Sequence, residues 1–164
     1  MLSSIRNYAP LLWILALTGG LAYAVELRSE SWHWESWMHS FMGFFFVLLA
    51  LFKLVNLRGF ADGFQKYDLL AQQWRPYAFA YPFLELGLGF GYLVESFLVP
   101  LYLLTIGLML FGLGGILLSL KRGYQFRCAC LGTVLNVKLS HISVLENLGM
   151  AAMAGFMLMI SFLE

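Results

Sequence analysis

Residues 98–120 read LVPLYLLTIGLMLFGLGGILLSL, 23 consecutive positions without a charged side chain. A helix needs about 20 mostly apolar residues to cross the hydrocarbon of a bilayer. The run is continuous rather than alternating, and a helix satisfies its own backbone hydrogen bonds in lipid. The stretch therefore predicts a transmembrane helix. Four further apolar stretches run roughly from Tyr8 to Val25, Trp37 to Leu57, Tyr77 to Val94 and Ile142 to Leu163. The expected fold is all-α, a polytopic membrane helix bundle of five transmembrane helices in a single transmembrane domain over residues 1–164. The first stretch lacks a small-x-small cleavage site before a polar region, so it is expected to be a retained signal-anchor helix.

Composition agrees. The chain is 61% hydrophobic and 12% charged, with a mean hydropathy of +0.79. A soluble domain is closer to half apolar and a quarter charged, so a water-soluble globule is excluded. No basic tract or basic patch interleaved with aromatics points to nucleic acid.

Charge placement gives an orientation. With a cytoplasmic N-terminus, Arg6, Lys53, Arg58, Lys66, Arg75, Lys121, Arg122, Arg127 and Lys138 all fall on the cytoplasmic side, and only Arg28 falls outside. Nine of ten basic residues on one side satisfies the positive-inside rule and predicts an outside C-terminus. Trp32, Trp34 and Trp37 cluster at the expected outer interface, and Trp74 at the inner one. Gly87 and Gly91 are spaced for close helix approach, as are Ala151 and Gly155. The segment from Lys53 to Asp68 is expected to lie as an amphipathic stretch on the inner surface.

The residues with chemical capacity are few. Arg127-Cys128-Ala129-Cys130 places two thiols one residue apart beside a cation. Such a pair can close a strained, easily reduced disulfide or offer two soft thiolates to a metal ion, and adjacent positive charge favours the thiolate. Glu85 lies mid-span, where a carboxylate marks a function or a buried pair. If the second and third spans pack side by side it can reach Lys53. Pro82 lies one turn before it. Glu146 is followed on one helix face by Met150, Met153 and Met157, a candidate soft-metal stripe, although Met also fills cores. His39 and Met42, one turn apart near the outer interface, are further metal candidates. No phosphate loop, nucleophile elbow or complete metal-site spacing is present, and no cofactor is implied.

Lys53, Phe60-x3-Phe64-x2-Tyr67, Pro82 with Glu85, Cys128-x-Cys130-Leu131-Gly132 and Leu139-Ser140 together resemble the MauE-like branch of the DoxX-like redox-associated membrane proteins, over roughly residues 38 to 163. The family loop usually reads Cys-Gly-Cys-Phe-Gly, so this chain differs at two positions. The first span looks like an addition to a four-helix core. The resemblance implies a bacterial inner-membrane protein linked to methylamine utilisation. It also implies a role for Cys128 and Cys130 in thiol–disulfide exchange with a thioredoxin-like partner. Three functions remain open on the residues: a membrane thiol–disulfide carrier or maturation accessory, a soft-metal carrier for copper or mercury, and a structural accessory subunit. The expected partners are the lipid bilayer, a thioredoxin-like protein and, in a homo-oligomer, further copies of the chain.

Overall fold

The computed structural model describes residues 2–28, 32–121 and 141–163, with side chains from residue 12 in the first helix and from residue 144 in the last. Seven helices follow one another: α1 (Leu2–Glu26), α2 (Trp34–Val55), α3 (Leu57–Phe64), α4 (Leu69–Gln73), α5 (Arg75–Val94), α6 (Leu98–Lys121) and α7 (His141–Ser161). No strand occurs among the described residues.

Three of these are long and apolar enough to cross a membrane: Trp34–Val55, Leu98–Lys121 and, within α7, Val144–Ser161. The described part of α1, Leu12–Glu26, is a shorter apolar helix. α5 has 20 residues but carries Pro76, Pro82, three tyrosines and Glu85, which lower its apolarity. Its polar side chains turn toward neighbours: Tyr77, Tyr81, Glu85 and Tyr92 are all buried.

α2 and α5 are antiparallel and close. A Cβ on either Gly43 or Gly89 would sit 3.0 Å from the other's carbonyl oxygen, so a larger residue at either position would push the two backbones apart by a few tenths of an ångström. The pair expected to do this, Gly87 and Gly91, does something else. Gly87 faces open space and Gly91 receives the side chain of Leu101 on α6. Gly155 also faces open space. Spacing alone marks a small-residue ridge but not which neighbour meets it. α6 pairs with α7, and α1 lies against α2, whereas α5 touches α6 only lightly.

The segment after α2 is built by local capping. The Asn56 side chain accepts from the Gly59 backbone N–H at 3.0 Å and starts α3. α3 is amphipathic, as expected, but its apolar face packs onto the protein: Phe60, Ala61 and Phe64 are buried and Phe64 meets Tyr81 with ring centroids 4.5 Å apart. Asp68 then caps α4, its Oδ1 accepting from the N–H groups of Leu70 and Ala71 at 3.0 and 2.8 Å. Asp68 is fully buried, and its Oδ2 has no hydrogen-bond partner among the described residues. Burial pushes its carboxyl above the usual aspartate range, against the pull of the two backbone donors. This turn fits beneath α6 because residue 115 is glycine, where a Cβ would lie 2.6 Å from the Tyr67 carbonyl oxygen.

Candidate functional site

Lys53 stands in the last turn of α2 and Glu85 in the middle of α5. The close α2–α5 approach brings them together: the Lys53 ammonium donates to both carboxylate oxygens of Glu85. Each side chain is 3% exposed. Taking two charges out of water is costly and is offset only by close pairing and further contacts. The further contacts are here. Lys53 Nζ lies 5.0 Å from the centroid of the Tyr81 ring and 5.6 Å from that of Phe60, within the range of cation–π attraction. α3 therefore has a task, which is to carry Phe60 to the ammonium.

Two small cavities flank the pair, each of about 20 Å³, enough for about one water molecule. Both are bordered by Lys53, Tyr81 and Asn147. One extends toward Tyr67 and Gly112. The other extends toward Glu85 and Glu146. α7 thus places Glu146 and Asn147 beside an ion pair supplied by α2 and α5. On α6, Gly112 leaves room for Asn147, whose Oδ1 a Cβ there would meet at 3.3 Å. Glu146 also borders a wider apolar groove of about 270 Å³ against Leu15, Phe41 and Met153. Pro82 sits within α5 one turn before Glu85, and the helix continues through it despite the lost hydrogen bond.

A second polar set occupies the other end of α2. His39 is buried. Its Nε2 lies 2.5 Å from the Tyr102 hydroxyl and its Nδ1 3.2 Å from the Glu95 carboxylate. Tyr92 and Thr105 are joined through their hydroxyls at 2.9 Å. Glu95 ends α5 in a left-handed conformation, φ 52°, and Phe97 repeats it at φ 53°. His39 and Lys53 are 14 positions apart on one helix, about 21 Å at 1.5 Å per residue. From position 42 to position 50 the buried side chains between them are apolar: Met42, Phe45, Phe46, Leu49 and Ala50. Both polar sets lie between the α2–α5 pair and the α6–α7 pair.

A family model for the methylamine utilisation protein MauE matches residues 33–160. The chain belongs to the MauE family. The match opens just before α2 and closes within the last turn of α7, so α1 lies outside it. Family and apolar helices together make this a multi-pass membrane protein of methylamine utilisation, and kinship with DoxX-like proteins is compatible with the match. No curated protein and no solved structure matches the chain.

Within this MauE protein the expected residues separate. Arg127, Cys128 and Cys130 lie outside the described residues, in the connection that leaves α6 at Lys121 and enters α7 at His141. Glu85 lies in the charged site, and Met150 lines the Glu85 cavity. Met157 is buried in the main apolar core and Met153 packs against it. Met42 is buried in that same core, and both ring nitrogens of His39 lie within hydrogen-bond range of protein groups. No group of three or more His, Cys, Asp or Glu able to hold a metal occurs among the described residues. Sequence reasoning missed Asn147, Tyr102 and Asp68. For the first two, the available signal is an amide or a phenol placed inside an otherwise apolar span.

Proposed function

We propose that this MauE-family protein is a five-span thiol–disulfide carrier of the bacterial inner membrane, with Cys128 and Cys130 as its redox pair. The observation that carries this reading is the C-x-C sequence beside Arg127 in the α6–α7 connection. One thiolate attacks a partner disulfide and displaces a partner thiolate, giving a mixed disulfide. The second cysteine then resolves it, so two electrons pass to the partner and the pair becomes a disulfide. Arg127 favours the attacking thiolate. A thioredoxin-like protein supplies or takes the electrons. Nine of ten basic residues on one side support a cytoplasmic pair and N-terminus and an outside C-terminus. α1, α2, α5, α6 and α7 are the spans. Glu85 serves the site as the buried partner of Lys53.

Thiol trapping tests this with membrane-impermeant maleimides added to intact cells and to membranes opened from either side, before and after reduction. Wild type is expected to hold a partly oxidised pair, and either Cys128→Ser or Cys130→Ser to accumulate a mixed disulfide. A pair that stays fully reduced throughout, with neither single variant trapping a partner, refutes the carrier reading.

A further inference from the structure

His39 ties α2 to the chain on both sides of the α5–α6 turn. Its Nδ1 faces the Glu95 carboxylate at 3.2 Å and its Nε2 the Tyr102 hydroxyl at 2.5 Å. A carboxylate only accepts, so the hydrogen of the neutral ring sits on Nδ1, and the Tyr102 hydroxyl donates to the bare Nε2. The ring packs against Tyr92 and Tyr102, with centroids 6.3 and 5.9 Å away. The His39 side chain is 7% exposed and that of Glu95 46%, so the contact lies just inside the solvent boundary. Glu95 is an unfavourable residue for its place. Its backbone N–H and that of Ser96 turn back to the carbonyls of Tyr92 and Gly91 at 3.2 and 3.3 Å, a helix ending in which the left-handed position usually belongs to glycine. Phe97 is left-handed as well. Such residues persist where the surroundings hold them, and His39 holds the Glu95 side chain.

We propose that His39 is a proton-operated latch that fastens the α5–α6 turn to α2. Histidine is the side chain whose charge ordinarily changes between about pH 5 and about pH 8. When the ring takes a proton from solvent at this end of the bundle, the proton ends on Nε2. Both ring nitrogens then donate, Nδ1–H to Glu95 and Nε2–H to the Tyr102 oxygen. The bond between His39 and Tyr102 reverses direction. The Tyr102 hydrogen turns away toward Glu35 or Glu95, the carboxylates whose charges act on that hydroxyl. The contact with Glu95 becomes an ion pair and tightens. Loss of the proton restores the weaker bond and releases the strained turn. One proton enters or leaves, and no electron moves. The titratable groups around the ring are Glu35 on α2 itself, Tyr92 and Glu95 from α5, and Tyr102 from α6. Those of α1 engage the residues before α2: Tyr23 lies 5.6 Å from the Trp32 ring, and Glu26 accepts from the His33 backbone N–H at 2.7 Å. The described side chains of α7 include one titratable group, Glu146, which borders the Lys53 cavity.

The chain has two cysteines, so Cys128→Ser with Cys130→Ser leaves Phe97→Cys as the single thiol for a nitroxide label. Residue 97 is 83% exposed and accommodates the label. The full chain in lipid nanodiscs is followed by electron paramagnetic resonance between about pH 5 and about pH 8. An immobilised spectrum is expected at acidic pH, with a mobile component that grows as pH rises. His39→Gln keeps hydrogen-bonding groups without a titrating ring, and Glu95→Gln keeps the acceptor without the charge. Each is expected to lose the pH response. Nitrogen magnetic resonance on isotope-labelled histidine, with His39→Gln identifying the signals of residue 39, reads the ring directly. The neutral ring is expected to carry its hydrogen on Nδ1, and the charged ring to carry one on each nitrogen. A label spectrum that does not change with pH, a response that persists in either variant, or a neutral ring with its hydrogen on Nε2 overturns the proposal.

Discussion

Breaking the Lys53–Glu85 pair from one side should cost far more than removing it whole. Lys53→Met leaves a carboxylate at a position 3% exposed, and Glu85→Gln leaves an ammonium at an equally buried one. Removal of one partner of a buried pair typically costs about 3–5 kcal/mol, whereas exchange of both for neutral groups of similar volume is close to neutral. Each single variant is therefore expected to lose about 3–5 kcal/mol and the double variant less than about 2 kcal/mol. The coupling energy of the cycle is then at least about 4 kcal/mol. Tyr81 and Phe60 bear on the two singles unequally, because they face the ammonium. Glu85→Gln keeps that cation–π contact and should be the milder of the two. The assay is reversible unfolding in mixed micelles, monitored by tryptophan fluorescence, on all four proteins. Single losses below about 1 kcal/mol that simply add in the double variant would show that the two charges are solvated and do not form a buried pair.

Three further outcomes follow from the packing. Gly89→Ala puts a Cβ 3.0 Å from the Gly43 carbonyl and should destabilise the bundle by about 1–3 kcal/mol, whereas Gly87→Ala, which meets open space, should fall within about 0.5 kcal/mol of wild type in the same titration. Asp68→Asn keeps an N-cap of equal quality and removes a buried carboxyl whose proton affinity is raised. The stability owed to protonated Asp68 is complete below the unfolded aspartate value of 3.8 and is lost as pH rises through the higher folded value. The variant should accordingly gain on wild type as pH increases toward neutral, and a constant difference across the titration would refute this. Tyr102→Phe removes the hydroxyl beside His39 Nε2 and should lower stability by about 1–3 kcal/mol, an effect absent if that contact is not made.

The helices that dominate the fold were legible because each is a long apolar run, and the pairing of Glu85 with Lys53 because a lone mid-span carboxylate demands a cation. The spans shifted at their ends: α2 starts at Trp34 and not Trp37, since Trp34 and Trp37 are both helical, and α7 ends at Ser161. α4 is five residues long, and no periodicity is readable over so short a stretch. The Gly43–Gly89 contact was missed because it depends on which faces meet, whereas spacing reports only one helix. His39 read as an interfacial residue free to meet a metal. Its partners, Tyr102 and Glu95, lie 63 and 56 positions away, and only the tertiary fold shows them. The α6–α7 connection that bears Cys128 and Cys130 was the sharpest sequence feature, and it lies outside the described residues.

The light contact between α5 and α6 has a consequence for assembly. The bundle is two leaves, α1 with α2 and α5, and α6 with α7, joined covalently by the short turn around Glu95 and Phe97. Within the first leaf α2 and α5 meet through the Gly43–Gly89 contact and the Lys53–Glu85 pair. Between leaves, His39 finds Tyr102, Tyr92 finds Thr105, and Asn147 borders the Lys53–Glu85 cavities. In lipid, where apolar surfaces gain little by choosing one another, such polar partners specify docking. The register between the leaves is thus written in a handful of hydroxyl, imidazole and amide groups. Fragments ending at Glu95 and beginning at Leu98, produced together, carry every group needed to find each other across the cut.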